Sequence, residues 1–261
     1  MRNGLSILLS NDDGIHAEGI QALYNELKKI GSVAVVAPLE ERSTTGHSLT
    51  IHKPLRMISI KKDFYGVSGS PADCVYMGIR QVLKKMPDLV VSGINRGANL
   101  GQDVYYSGTV SAAREACILG LPALAVSTAV DFSKIKADGD IHYASAAKLA
   151  VKLLKSLDWK NLPKHTLLNL NVPDSPLSKV KGIQLARQGF RFYDGNIVAR
   201  RDHRGKDYFW VGGKYKGFTP GKETDCLAVD QGYASLTPLK LDSTDYDFMT
   251  TLSEGWKLGR R

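Results

Sequence analysis

Residues 5–14 read LSILLSNDDG and residues 31–38 read GSVAVVAP. Leu5 to Ser10 is a short apolar run ended abruptly by Asn11-Asp12-Asp13-Gly14, the pattern of a buried strand closing into a turn. Between the two runs Ile20, Leu23, Leu27 and Ile30 recur at helical spacing, and Gly31 stops the helix. Val33 to Ala37 is a second apolar strand, halted by Pro38. Strand, helix and strand in the first 38 residues make a βαβ unit, and such units build a parallel sheet covered by helices.

The rhythm continues along the chain. Pro71 opens a helix carrying Val75, Ile79, Val82 and Met86, with proline at the favoured first position. Leu89–Val91 reads as a third strand, Gly108–Leu119 as an alanine-rich helix, Ala123–Ser127 as a fourth strand, Tyr143–Leu157 as a helix and Leu167–Val172 as a fifth strand. Alternation over Leu49–Ile60 predicts an inserted hairpin. Residues 1–172 therefore read as a doubly wound α/β core. Residues 173–261 read as a β-rich extension of glycine, aromatic and basic residues. Phe248, Leu252 and Trp256 at i, i+4 and i+8 predict a terminal helix over Asp247–Leu258. An arm and a helix outside the main sheet suit exchange between subunits.

Composition sets the outer limits. Of 261 residues, 43% are hydrophobic and 23% charged, so a sizeable core is affordable and bulk disorder is excluded. No apolar run approaches the ~20 residues that span a bilayer, so no membrane partner is expected. Met1-Arg2-Asn3-Gly4 runs straight into a strand without a signal-peptide apolar region, which points to the cytoplasm. Cys74, Cys117 and Cys226 are odd in number and lack CxxC spacing, against a disulfide framework or a structural zinc site. Net charge is +9, and Lys179–Lys216 holds ten basic against three acidic residues, favouring an anionic partner.

The polar clusters fall where strands end. Ser10–Gly14 follows the first strand, Pro38–Ser48 the second, and Ser92–Gly101 the strand after Pro87. In an open parallel sheet ligands bind at these carboxyl ends, so the three loops converge on one edge. Adjacent Asp12 and Asp13 are poor neighbours without positive charge beside them. A hard divalent cation, Mg²⁺ or Mn²⁺, supplies it, with Ser43 and Asn95 able to add neutral oxygens from the other two loops. The bland alternative for Asn-Asp-Asp-Gly is an Asx turn with helix capping. Gly93–Gly101 resembles a phosphate cradle, although it is neither GxGxxG nor a P-loop. Ser107-Gly108-Thr109 opens the next helix, where unpaired N–H groups favour an anion; a plain N-cap is the simpler role for Ser107. A metal site beside a phosphate site points to phosphate-ester hydrolysis.

SNDDG at 10–14, ERSTTGHSLT at 41–50, GSPADC at 69–74, SGINRGANLG at 92–101, SGTVSAAREA at 107–116 and TDCLAVDQGYASLTPL at 224–239 together resemble the SurE family of survival proteins. The blocks run over nearly the whole chain in the family's order. The resemblance implies a Rossmann-like, mostly parallel sheet with exchanged C-terminal elements, in a homodimer or homotetramer. It implies one divalent metal per subunit on Asp12, Asp13, Ser43 and Asn95. It further implies phosphate contacts from Asn99, Ser107, Gly108 and Thr109, with Asp12, Asp13 and Asn95 as catalytic residues. The implied activity is hydrolysis of nucleoside 5′-monophosphates, with short polyphosphate as a further substrate.

Two other classes compete. A nucleic-acid-binding protein would use the basic stretch with Phe190, Phe192, Tyr193, Tyr208, Phe209 and Trp210 as stacking surfaces, but no recognised binding module is visible. A dinucleotide-dependent oxidoreductase lacks its GxGxxG. NDDG in place of DxDx[TV] weakens a covalent aspartyl-phosphate route. His47, in a polar loop, is a candidate proton donor, whereas His52 is expected to pack in the hairpin.

Overall fold

The computed structural model describes residues 4–132 and 141–255. Strand β1 (Leu5–Ser10) leads through α1 (Glu18–Leu27) to β2 (Gly31–Pro38), as the first 38 residues predict. A hairpin follows, β3 (Met57–Lys61) and β4 (Phe64–Val67), then α2 (Pro71–Met77). Next come β5 (Leu89–Arg96), α3 (Gly108–Ile118), β6 (Ala123–Ala129), α4 (Tyr143–Ser156) and β7 (Thr166–Pro173). The remainder is β8 (Ile183–Leu185), β9 (Arg191–Tyr193), β10 (Ile197–Arg201), β11 (Asp207–Val211), β12 (Tyr215–Phe218), α5 (Asp225–Asp230), β13 (Ala234–Lys240) and α6 (Tyr246–Gly255).

One nine-stranded sheet organises the molecule, in the order β3-β4-β2-β1-β5-β6-β7-β13-β8. The six strands from β4 to β7 in that order are parallel, while β3 and β13 run antiparallel to their neighbours β4 and β7. Both faces are covered, which is why β1 is apolar at consecutive positions. Ile7 and Leu9 pack with α1 and α4, while Leu8 packs with α2 and α3. The helical stripe of α1 buries Ile20, Leu23 and Leu27, each worth roughly 1.5–3 kcal/mol of transfer free energy.

Three expectations shift. The inserted hairpin lies at 57–67, not 49–60, because β4 pairs parallel with β2 and so sets the register from the sheet side. His52 is exposed ahead of that hairpin and does not pack in it. The helix from Pro71 ends at Met77 and passes into a π-helical turn over Gly78–Val82, leaving Met86 exposed. The sheet also continues past residue 172. β13 pairs with β7 from Ser235↔Asn171 to Lys240↔Thr166, and β8 pairs with β13. The extension thus contributes two strands to the core sheet, and only β9–β12 form separate two-stranded ribbons. Cys74, Cys117 and Cys226 are buried and unpaired. Among the described residues no helix is long and apolar enough to cross a membrane. Phe248 and Leu252 of α6 are exposed, and Trp256 lies outside the described residues.

Candidate active site at the carboxyl edge of the sheet

The turn after β1 is fixed before it meets anything else. Asn11 Nδ2 donates to the Gly14 carbonyl at 2.9 Å and braces the turn, but Asn11 Oδ1 accepts no hydrogen bond among the described residues, so this is not the Asx turn that Asn-Asp-Asp-Gly suggests. The turn then carries Asp12 to the N-terminus of α3. Thr109 Oγ1 donates a short hydrogen bond to Asp12 Oδ1. Gly108 is required by this approach: a Cβ there would lie 2.7 Å from Asp12 Cβ and 2.8 Å from Asp12 Oδ2. The carboxylate therefore sits in the positive field of the helix end.

Burial nevertheless wins over those favourable contacts. Asp12 is 3% exposed. Desolvation, with the charge of Asp13 added, pushes its pKa up to about 7 against the opposing hydrogen bonds of Thr109. Burial likewise raises Asp13 to about 6, and the charge of Glu41 adds to this; the Arg96 backbone N–H, 3.1 Å from Asp13 Oδ2, pulls the other way. Two carboxyls held near neutrality, side by side, form a site that a cation would ionise.

The two neighbouring loops are tied to this turn. The Arg42 backbone N–H donates to the Asp12 carbonyl at 2.7 Å, anchoring the loop that carries Ser43. The exposed Ser43 hydroxyl donates to Glu41 Oε1 at 2.6 Å. On the other side, β5 bulges against β6 between Ser92 and Asn95. Gly93 permits the bulge, since its φ is +135° and a Cβ would come within 2.2 Å of the Val126 carbonyl oxygen. Asn95 Nδ2 then donates to the Gly97 carbonyl at 2.8 Å, leaving Oδ1 as its acceptor end.

The phosphate candidates divide. Ser107 is the N-cap of α3, its Oγ accepting from the Val110 N–H at 3.0 Å. The hydroxyl of Thr109, fully buried, is committed to Asp12. The Thr109 main-chain N–H is turned to the Asp12 carboxylate as well, which leaves the Gly108 N–H at the helix end as the anion donor. Asn99 is bound elsewhere: its Nδ2 donates to Ser127 Oγ at 2.8 Å, and its backbone N–H to Asn171 Oδ1 at 2.7 Å.

Several supporting residues escape the sequence reading. Asn169 and Asn171 of β7 both donate to the Asn99 carbonyl, at 2.8 and 3.0 Å, and so strap the glycine-rich loop to the sheet. Two asparagines at i and i+2 in an otherwise apolar buried strand were the available signal, because buried amides must be partnered. Asp225 accepts from the N–H groups of Gly101 and Gly189 at 2.9 and 2.8 Å. His47, weighed from sequence as a proton donor, has Nε2 2.9 Å from Oε2 of the buried Glu115 on α3 and so joins the Ser43 loop to that helix. Part of the basic aromatic stretch is also used internally. Arg191 pairs with Asp103 at 2.6 Å and stacks over Tyr215 at 4.3 Å, while the Tyr193 hydroxyl donates to Asp103.

Fold and site define a doubly wound α/β protein with a carboxylate pair and a helix N-terminus meeting at the carboxyl edge of the sheet. The family model for the survival protein SurE matches residues 7–195, and the chain belongs to the SurE family. A 5′-nucleotidase SurE of Geobacter metallireducens is 48% identical over 248 residues, covering 95% of this chain and 96% of that protein. A 5′-nucleotidase SurE of Geobacter sulfurreducens is 46% identical, covering 97% and 94%. The crystal structure of the Sure protein from Aquifex aeolicus superposes with a TM-score of 0.82 at 43% identity, covering 95% of this chain and 98% of that one.

Proposed function

We propose that this chain is a metal-dependent 5′-nucleotidase, hydrolysing nucleoside 5′-monophosphates to nucleoside and phosphate. The observation that carries the reading is the buried Asp12–Asp13 pair set against the N-terminus of α3. The names of relatives 48% and 46% identical over nearly the whole chain support it.

The donor set fits a hard cation. Asp12 and Asp13 are raised to about 7 and about 6, so replacing their protons by one divalent ion relieves the cost of burying both charges. With Ser43 Oγ and Asn95 Oδ1 the set is all oxygen, which suits Mg²⁺ or Mn²⁺. Bound there, the ion supplies charge neutralisation and Lewis-acid polarisation of the phosphoryl group. The protein's own groups do the rest. Thr109 fixes the rotamer of Asp12, the Arg96 N–H fixes Asp13, and the Gly108 amide at the N-terminus of α3 meets charge developing on the phosphoryl oxygens. His47 and Glu115 hold the Ser43 loop against the helix that binds the phosphate.

On this reading residues 1–172 carry the catalytic core. Residues 173–261 complete the sheet and exchange between subunits of a homodimer or homotetramer. The exposed Phe248, Met249 and Leu252 of α6 support that assignment. The nucleic-acid alternative is not carried forward: the comparisons with known proteins point to nucleotidases, and Arg191 and Tyr193 of the basic aromatic stretch are engaged within the chain.

Phosphate release from 5′-AMP, 5′-GMP, 5′-CMP, 5′-UMP and 3′-AMP, each with Mg²⁺, Mn²⁺ or chelator, tests the proposal. Metal-dependent turnover of the 5′-monophosphates is expected. Turnover indifferent to chelator, or preference for 3′-AMP, would overturn it.

A further inference from the structure

We propose that Phe132, backed by the Arg96 guanidinium, is the platform on which the substrate's nucleobase stacks, and so sets the preference for nucleotides over other phosphate esters. This inference rests on the nucleotidase reading above and adds a base subsite to it. Phe132 follows β6, at the carboxyl edge of the sheet where Asp12, Asp13 and Asn95 lie. Its ring borders the candidate site closely: a Cβ built on Gly97 would lie 3.4 Å from Phe132 Cε2 and 3.8 Å from Asn95 Nδ2. The tripeptide Asn95-Arg96-Gly97 thus does three things in succession. Asn95 offers a ligand oxygen, the Arg96 N–H orients Asp13, and Gly97, with φ +131°, turns the backbone so that the loop passes in van der Waals reach of the aromatic ring.

The ring is 61% exposed, although a phenylalanine gains by burial. Arg96 is exposed too, with its guanidinium carbon 5.9 Å from the Phe132 ring centroid. A planar cation beside an open aromatic face is a surface that accepts any base by stacking and tolerates base identity. A phosphate held at the Gly108 amide would leave the sugar and base to extend outward across this rim. An aliphatic phosphate ester has nothing to place on it.

The test uses the full chain with Mn²⁺ and two substrates, 5′-AMP and ribose 5-phosphate, which share phosphate and sugar and differ by the base. In Phe132→Ala the ratio of kcat/KM for AMP over ribose 5-phosphate should fall roughly tenfold, chiefly through KM for AMP. Phe132→Trp should restore the ratio, and thermal melts of both variants should stay near wild type because the side chain is exposed. An unchanged ratio, or equal losses on both substrates, would overturn the platform. A wild-type chain that hydrolyses both esters without preferring AMP would also overturn it while leaving the phosphatase site standing. Absence of hydrolysis of either ester by the wild type would instead overturn the nucleotidase reading, and the platform with it.

Discussion

The turn after β1 buries polar groups, whereas the ribbons after β8 expose apolar ones. Asp12 and Thr109 are out of solvent at the sheet edge, while Phe209, Trp210 and Val211 of β11 stand open to it. Each arrangement is costly for an isolated chain, and in opposite senses. Buried carboxyls resist ionisation and call for a cation; exposed aromatics forgo transfer free energy and call for another surface. On the proposed reading the first region is completed by a small ion and a substrate, the second by another subunit. The same contrast separates the effects expected on perturbing each.

The largest effect belongs to Asp12. Asp12→Asn should lower turnover of 5′-AMP on the order of 10²–10³-fold, the loss typical of one electrostatic contact to a reacting group. Stability should move the other way. The folded pKa of Asp12, about 7, lies above its ordinary 3.8, so the folded state holds a proton that the unfolded chain has lost. That contribution is present below about pH 4 and is lost as pH rises through about 7. Metal-free Asp12→Asn should therefore lose less stability than wild type between pH 4 and 8 in thermal melts. A variant as active as wild type, or with the same pH slope, would break the contrast.

Thr109→Val comes next. It removes one hydroxyl donor to a charged group, worth about 1.5–3 kcal/mol, or roughly ten- to a hundred-fold in kcat/KM. A change below threefold would show that Asp12 does not need Thr109 to hold its position. His47→Ala should act more weakly and by a different route. It leaves the buried Glu115 without the His47 contact and loosens the Ser43 loop, so the Mn²⁺ concentration for half-maximal activity should rise several-fold. An unchanged metal requirement would reduce the His47–Glu115 pair to packing.

The smallest effect on the core should come from the other region. Ending the chain after Asp242 removes α6, whose apolar residues Phe248, Met249 and Leu252 are exposed within one chain. The melting temperature should stay within about 3 °C of wild type, as expected for surface changes below ~0.5 kcal/mol. The sedimentation coefficient should fall from oligomer to monomer. A truncated chain that still sediments as the oligomer would place the subunit contact elsewhere.

Local pattern carried the reading of β1, α1 and β2, since β1 and β2 are continuous apolar runs buried on both faces of the sheet and α1 buries the one stripe that its spacing declares. β13 was harder. Ala234–Lys240 alternates polar and apolar residues and contains Pro238, which reads as an arm, yet it is held by pairing with β7 from across the sheet. The hairpin at 57–67 slipped for the same reason, its register being set by β2. At the site, Asp12, Asp13, Asn95 and the opening of α3 were legible because they sit at strand or helix ends. The partner of Thr109 was not: the contact spans 97 positions, and only the missing side chain of Gly108 allows it. The Asn169–Asn171 strap was visible as two polar residues in an apolar strand, but its target, the Asn99 carbonyl, is a tertiary fact.

Mn²⁺ binding at pH 6 and pH 8, followed by electron paramagnetic resonance on wild type and Asp12→Asn, tests the central claim most directly. Carboxyls at about 7 and about 6 must release protons to bind the ion, so wild type should take one Mn²⁺ per chain with clearly higher affinity at pH 8. Asp12→Asn should lose most of that affinity at both pH values. Equal affinity at the two pH values in wild type, or undiminished binding by Asp12→Asn, would contradict the assignment of the metal to the buried pair at the end of β1.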